Sequence, residues 1–289
     1  IKTRYEVKIM ELFVTDLDGT LLNSNKEVSI KSIEILNKLI DDGVNFTVAT
    51  ARTPATVVDL LQDVNLKLPA VLMNGVLLYD IKEEKYINIK EIEKNTVDKV
   101  FDILNKFHKN AMVYGVKNDH LWVYHKEFEY SWEYNFYKER ADRKQKTFLK
   151  VEDYKEFLKE SKIINFIVFD KYEKIKGIYE ELKKIDEIFV EYYEDIYESG
   201  CYFLEAYSAA ASKANGIKLL SEYIEHDKLV CFGDNLNDIP MFELADECYA
   251  TSNAVEKVKC ISTDVIGSCD EDGVALFIEK RLNELKIKS

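Results

Sequence analysis

Apolar and polar positions change period several times along the first ninety residues. ELFVTD (11–16) is a short apolar, β-branched run, which predicts a buried strand. From Ser29 the segment SIKSIEILNKLIDDG switches to helical spacing. Ile30, Ile33, Leu36 and Ile40 recur on one stripe, Ser29 is the N-cap, and Gly43 is the stop. VNFTVAT (44–50) is a second buried strand. Thr53-Pro54 opens a helix over 54–64, with Pro at the first-turn position, where its missing N–H has no helical partner to lose. LPAVLMNG (68–75) reads as a third strand. Strand, helix, strand, helix, strand at this spacing predicts a parallel sheet with right-handed crossovers.

The same rhythm returns in the last third. SKANGIKLLSEYIE reads as a helix, KLVCFGD as a strand, NDIPMFELAD as a helix and ECYATSN as a short strand; NAVEKVKC and DGVALFIEKRLNELK are two more helices. Between the two thirds the texture differs. Helical NTVDKVFDILNKFHK alternates with strand-like INFIVF and GCYFLEAY, and HLWVYHKEFEYSWEYNFYKER holds two Trp and four Tyr. The expected architecture is therefore α/β: a Rossmann-like parallel-sheet core with helices on both faces, built from segments 1–84 and 206–289, with an α+β domain, 85–205, inserted into one of its loops. The aromatic run at 121–137 is expected to be core of that domain, and His120 and His125 to lie at its surface. The lead-in IKTRYEVKI before Met10 is assigned no function.

Length and composition narrow the partners. A chain of 289 residues is long enough for two domains, and 40 basic against 53 acidic residues leave a formal net charge of −13. That balance argues against nucleic acid or an anionic membrane surface as a partner, and requires that any anionic substrate be drawn in by local charge. Five cysteines, an odd number without a CxxC, read as small buried hydrophobes in a reducing cytosol. No signal-peptide pattern is seen, and no apolar run approaches the ~18 residues that span a bilayer, so a cytoplasmic setting is expected.

Candidate chemistry collects where the predicted parallel strands end, which is where ligands bind in open α/β sheets. Asp16 and Asp18 follow the first strand, Thr50 and Arg52 the second, and Asn74 with Gly75 the third. Gly233, Asp234, Asn237 and Asp238 follow KLVCF, and Lys213 opens the helix before it. Neighbouring carboxylates repel by ~1 kcal/mol at 4 Å even in water, so a cluster of Asp16, Asp18 and Asp234 needs a cation. With no histidine among them, all-oxygen ligation suits Mg²⁺. The four histidines are too scattered for a zinc site, and the spacing after each of these aspartates misses the calcium-loop pattern. With charge so neutralised, Asp16 can attack a phosphoryl group while Asp18 hands a proton to the leaving alkoxide and takes one from water. Lys213, Thr50 and the turn amides after Asp16 can hold the phosphoryl oxygens. Arg52 and Asn74 fit either a substrate contact or a structural hydrogen bond.

DLDGTLL (16–22), Thr50 in VATAR, Lys213 in SKANGIKLL and GDNLNDIPMF (233–242) together resemble the four motifs of the haloacid dehalogenase (HAD) superfamily. MNG (73–75), NAVEKVK (253–259) and DGVALFI (272–278) are similar to its Cof-type phosphatases, of class IIB, whose large α/β cap lies between motifs two and three. The resemblance implies Asp16 as nucleophile and Asp18 as acid/base. It implies Mg²⁺ on Asp16, the backbone carbonyl of Asp18 and Asp234, with phosphate held by Thr50, Lys213 and Asn237 and support from Asp238. An acid two residues after the nucleophile implies phosphate rather than C–halogen chemistry. Two glycines usual in the family are Ala51 and Ala214 here, for which small backbone adjustments are expected.

The expected function is a Mg²⁺-dependent phosphatase for small phosphorylated metabolites such as sugar phosphates, its cap closing over the cleft to exclude water. A phosphomutase returning the same aspartyl-phosphate to substrate, and a non-enzymatic phosphoacceptor of the receiver type, are the competing readings.

Overall fold

In the computed structural model, which describes residues 10–141, 143–195 and 199–288, the chain divides into two compact units. One is Ile1–Ile87 with Ser212–Ser289, the other Asn88–Ala211. The lead-in before Met10 lies outside the described residues.

The first unit starts with β1 (Glu11–Thr15), every residue of which is buried, as befits a strand covered on both faces. In α1 (Ile30–Asp41) the Ser29 side chain accepts the Ser32 N–H, and Ser32, Leu36, Leu39 and Ile40 face inward. Ile30 does not join that stripe and is 77% exposed. At 100° per residue it lies roughly 140° round the helix from the stripe's centre. β2 (Asn45–Val48) and α2 (Pro54–Leu60) follow. α2 stops short of residue 64 because Asn37 takes over the backbone beyond it: its Nδ2 donates to the Asp63 carbonyl at 2.9 Å and its Oδ1 accepts the Asn65 N–H at 2.7 Å.

β3 (Ala70–Leu72) runs parallel to β2, as expected, but is only loosely joined to it and has a second, unexpected partner. It touches the parallel sheet through one bridge, Ala49 to Val71, and its ladder partner is the antiparallel β4 (Leu77–Asp80), which leads to β5 (Lys85–Ile89) in a three-stranded sheet. The reversal is made by Met73, Asn74 and Gly75, three successive residues at positive φ (50°, 52° and 88°).

The second unit runs α3 (Lys94–Lys106), β6 (Met112–Lys117), β7 (His120–His125), α4 (Ser131–Arg140), β8 (Lys146–Lys150), α5 (Lys155–Leu158), β9 (Lys162–Asp170), α6 (Tyr172–Leu182), β10 (Ile188–Glu194) and β11 (Tyr202–Ser208). Its six strands form one sheet in the order β10-β11-β9-β6-β7-β8, antiparallel except for β7 with β8. Val100 and Leu104 of α3 and Ile175, Ile178 and Leu182 of α6 cluster with Val113, Phe166 and Leu204 of the sheet. α4 lies against the other face, where Phe136 meets Phe169 at 5.0 Å and Tyr137 meets Phe148 at 5.2 Å. His125 is therefore buried rather than at the surface: that face is covered, and its ring stacks on Phe128 at 4.6 Å.

The chain then completes the first unit with α7 (Lys213–Ser221), β12 (Lys228–Gly233), a 3₁₀ turn (Leu236–Asp238) running into α8 (Ile239–Leu244), β13 (Glu247–Thr251), α9 (Glu256–Ile261), the short β14 (Asp264–Ile266) and α10 (Gly273–Lys288). The parallel sheet has the order β14-β13-β12-β1-β2. Leu12, Val14 and Cys231 pack with Ile217, Leu220, Met241 and Phe242 of α7 and α8, while Phe13 and Phe232 alternate to the opposite face, where Phe277 of α10 meets Phe232 at 5.7 Å. The fold is thus α/β with helices on both faces of the core sheet. None of the five cysteines is in a disulfide; Cys201, Cys231 and Cys248 are buried as expected, but Cys260 is exposed and Cys269 half-buried. Among the described residues no helix is long and apolar enough to cross a membrane.

Candidate active site

Asp16 is the first residue beyond β1, fixed by its N–H to the Phe232 carbonyl at 2.9 Å. Lys213, the first residue of α7, is 1% exposed and bridges two carboxylates: its Nζ lies 2.5 Å from Asp16 Oδ1 and 2.6 Å from Asp238 Oδ1. The other oxygen of Asp238 accepts the N–H groups of Asp234 and Asn235 at 2.9 and 3.0 Å, so this buried carboxylate is fully engaged in shaping the turn after β12. Oxygens of Asp16, Asp234 and Asp238 all lie within 4.8 Å of one another.

Gly19 brings the first loop onto Asp234. It sits at φ 75°, and a Cβ there would stand 2.3 Å from Asp234 Oδ2. The Gly19 carbonyl is held by Thr251 Oγ1 at 3.2 Å and Asn253 Nδ2 at 2.7 Å, and Thr20 donates its hydroxyl to Asp234 Oδ1 at 3.4 Å. Thr20 and Thr251 were not singled out by the sequence reading. The only signal for Thr20 is its place two residues after Asp18, and for Asn253 its place at the head of a helix motif.

The electrostatics are those of excess negative charge. Burial pushes the Asp16 carboxyl up to about 7, with Asp238 and Asp234 adding to the rise and Lys213 opposing it. Burial and Asp238 together push Asp234 up to about 6. Burial also works against the charge of Lys213, yet Asp16 and Asp238 outweigh it and hold the ammonium protonated. Three carboxylates share one ammonium, and the donors are all oxygen. That set fits a hard divalent cation such as Mg²⁺, with Asp16 and Asp234 the carboxylates that have oxygens to spare.

The remaining candidates divide. Asp18 does not point its carboxylate into this cluster of ion pairs. It is half-exposed and clamped by Arg52, with Nε to Oδ2 at 2.7 Å and Nη2 to Oδ1 at 2.6 Å. Thr50 is buried, and its Oγ1 accepts the Arg52 N–H at 3.2 Å while its carbonyl accepts the Asn74 N–H at 3.0 Å. Asn74 Oδ1 is buried and takes no hydrogen bond among the described residues. Asn237 is exposed in the turn that ends at Asp238. Neither Ala51 nor Ala214 stands at positive φ, so alanine fits both places without strain.

A family model described as haloacid dehalogenase-like hydrolase matches residues 13–278. Two Bacillus subtilis proteins named 5-amino-6-(5-phospho-D-ribitylamino)uracil phosphatase are similar over nearly their whole length. YitU is 24% identical over 272 residues, covering 93% of this chain and 96% of that protein. YwtE is 28% identical over 289 residues, covering 95% and 99%. A crystal structure of a haloacid dehalogenase-like hydrolase from Bacteroides thetaiotaomicron superposes with a TM-score of 0.74 at 22% identity, covering 93% of this chain and 98% of that one. With its match spanning the sheet, the aspartates and Lys213 alike, the chain belongs to the haloacid dehalogenase-like hydrolases, and within them to the phosphatases.

Proposed function

We propose that the chain hydrolyses phosphate monoesters of small metabolites, sugar-like polyol phosphates above all, with Mg²⁺ and through an aspartyl-phosphate on Asp16. The observation that carries this is the buried cluster of Asp16, Lys213, Asp234 and Asp238. The named substrate of the two relatives, a phosphate on a D-ribityl group, supports the polyol. Cysteines outside any disulfide support a reducing, cytosolic setting, and the Asn88–Ala211 unit is the proposed inserted cap.

Lys213 holds Oδ1 of Asp16, which leaves Oδ2 to attack phosphorus. As the Asp16–phosphorus bond forms, the ester bond breaks and the departing alkoxide takes a proton from Asp18, which first has to leave Arg52. Asp18 then removes a proton from water, whose oxygen attacks phosphorus and releases phosphate and the free Asp16 carboxylate. Thr50, Lys213 and Asn237 are the proposed partners of the phosphoryl oxygens. A Mg²⁺ held by Asp16, Asp234 and the Asp18 carbonyl supplies the positive charge that three carboxylates and an incoming dianion require.

Asp16→Asn keeps size and shape, so its circular dichroism should match the wild type while p-nitrophenyl phosphate turnover disappears. Undiminished turnover removes Asp16 from the nucleophile's role. In the wild type, EDTA should abolish turnover and Mg²⁺ restore it; full activity in chelator defeats the metal assignment.

A further inference from the structure

Among the described residues three lysines are more than nine-tenths buried: Lys109, Lys146 and Lys213. A buried ammonium is costly unless it is paired, and two of the three obey that rule. Lys213 lies between Asp16 and Asp238. Lys109 Nζ has Glu129 at 2.9 Å, Asp170 at 3.4 Å and Glu133 at 3.5 Å.

Lys146 breaks it. It is 3% exposed, and among the described residues its Nζ makes no hydrogen bond or ion pair. Its compensation is the face of Phe148, whose ring centroid is 5.2 Å away, which is a weak substitute for a carboxylate. The charges that act on it are the guanidiniums of Arg140 and Arg143; with burial they push its amine down to about 8, whereas every other displaced lysine is displaced upward by carboxylates.

The surroundings are built rather than accidental. Lys146 is the first residue of β8, opposite Leu121 of β7 and on the same side as Phe148, the side against which Tyr137 of α4 packs. Arg140 ends α4, and the Lys146 N–H donates to the Arg143 carbonyl at 3.2 Å, so a tight turn brings all three cations to one end of the helix. Arg140 is about two-fifths exposed, its Nη1 at 2.9 Å from Glu139 and 3.3 Å from the Phe136 carbonyl, and Arg143 is exposed, so the cluster opens to solvent at its rim and deepens toward Lys146, which is 3% exposed.

We propose that Lys146, Arg140 and Arg143 form a binding site for a small anion, a phosphate or carboxylate group, with the Lys146 ammonium as its buried anchor and the two guanidiniums as its rim. The missing carboxylate partner is supplied by the ligand, and arginine forks suit either oxyanion. These residues belong to the Asn88–Ala211 unit and share none with the aspartate cluster, so the proposal stands independently of the catalytic reading.

The test is a footprint on the wild-type chain. Trace acetic anhydride at pH 8 is applied in chloride, in inorganic phosphate and in malonate at matched ionic strength, and acetylation is read peptide by peptide by mass spectrometry. Labelling of Lys146 should fall about tenfold once the protecting anion reaches ten times its dissociation constant. Exposed lysines should be unaffected. Protection by phosphate alone identifies a phosphate site, by malonate alone a carboxylate site, and by both a general oxyanion site. Protection by neither overturns the proposal, and so does the absence of any Lys146 labelling in chloride, because a site without access takes no ligand. Arg140→Gln, at the rim, should weaken the protection; unchanged protection in that variant overturns the rim assignment. Lys146→Met should retain the share of the phosphate-induced rise in Tm that comes from the aspartate cluster and lose the rest. An undiminished rise counts against the site, and should this variant fail to fold, the wild-type footprint decides alone.

Discussion

A first side-chain carbon at Gly75 would stand 2.0 Å from the backbone carbonyl oxygen of Ser212, 137 positions further along the chain. Ser212 is the N-cap of α7, its side chain accepting the Asn215 N–H, and the next residue is Lys213. The tight turn after β3 is thus the seat on which the helix that carries Lys213 begins. Gly75→Ala meets two penalties, a left-handed φ of 88° and this collision. Together they should destabilise the first unit by about 2–4 kcal/mol. An ångström's displacement of Lys213 should also lower kcat by about 10²-fold. Urea unfolding and steady-state kinetics read the two effects separately. A variant with wild-type kcat shows that the turn does not seat the lysine.

The Asp18–Arg52 pair sets up a contrast between neighbours. If Asp18 moves the proton, Asp18→Asn should lose about 10²–10⁴-fold in kcat. Arg52 clamps that carboxylate in a partly exposed pair, which contributes about 1 kcal/mol. Arg52→Ala should therefore keep kcat within about fivefold. A loss as deep as that of Asp18→Asn would instead make the guanidinium a substrate contact.

How much of this was legible beforehand depended on whether a signal is local. Asp16, Lys213, Asp234 and Asp238 were readable because a parallel sheet brings the carboxyl ends of its strands to one edge, and strand ends are visible as the close of apolar runs. The Arg52 clamp on Asp18 was not, since 34 residues separate them and either side chain is plausible as a solvated charge. Reversal of the chain after β3 hung on a positive φ at Met73, a residue that rarely adopts it, so only Asn-Gly hinted at a turn. Asn37's capture of residues 63 and 65 ended α2 early through a tertiary contact that no helix propensity encodes. For Lys146, KTFLK reads as an edge strand with lysines in solvent. Its burial follows from where α4 lies, which the sequence of β8 does not contain.

Asp238 acts through Lys213 and the backbone. Asp238→Asn would turn an amide NH₂ toward either the Lys213 ammonium or the N–H groups of Asp234 and Asn235, leaving donors facing donors in a buried place. A cost of about 3 kcal/mol or more is expected from the broken buried pair. A fall in kcat should accompany it, because the turn that carries Asp234 loses its brace. Asp238→Glu should restore neither, since Gly233 leaves no room: a Cβ there would already be 2.6 Å from Asp238 Oδ2. Recovery of activity in Asp238→Glu would argue that charge alone matters at this position.

Arg281 of α10 ties together two glutamates at the opposite ends of the strands. Its Nη2 lies 2.5 Å from Glu11 Oε1 and its Nη1 bonds Glu247, which also receives Lys228 and, at 2.7 Å, the Tyr249 hydroxyl. Burial pushes the Glu247 carboxyl up, but Arg281, Lys228 and Tyr249 outweigh it and hold it down at about 2. A carboxyl whose value is lower folded than unfolded binds fewer protons in the native state through the interval between the two. Its stabilisation is complete above the ordinary value of 4.5 and is lost as pH falls from there toward 2. With discount for the part of the side chain that reaches solvent, the amount is on the order of 1–2 kcal/mol. Arg281→Met should accordingly lower the urea midpoint at pH 7, and the gap from wild type should narrow as pH falls from 5 toward 2, because the unfolded chain takes up the proton that the Arg281-paired Glu247 still refuses. A gap that stays constant across that range means α10 is held by its apolar face, through Phe277 on Phe232 and Tyr249, and that the ion pairs beneath it contribute nothing to stability.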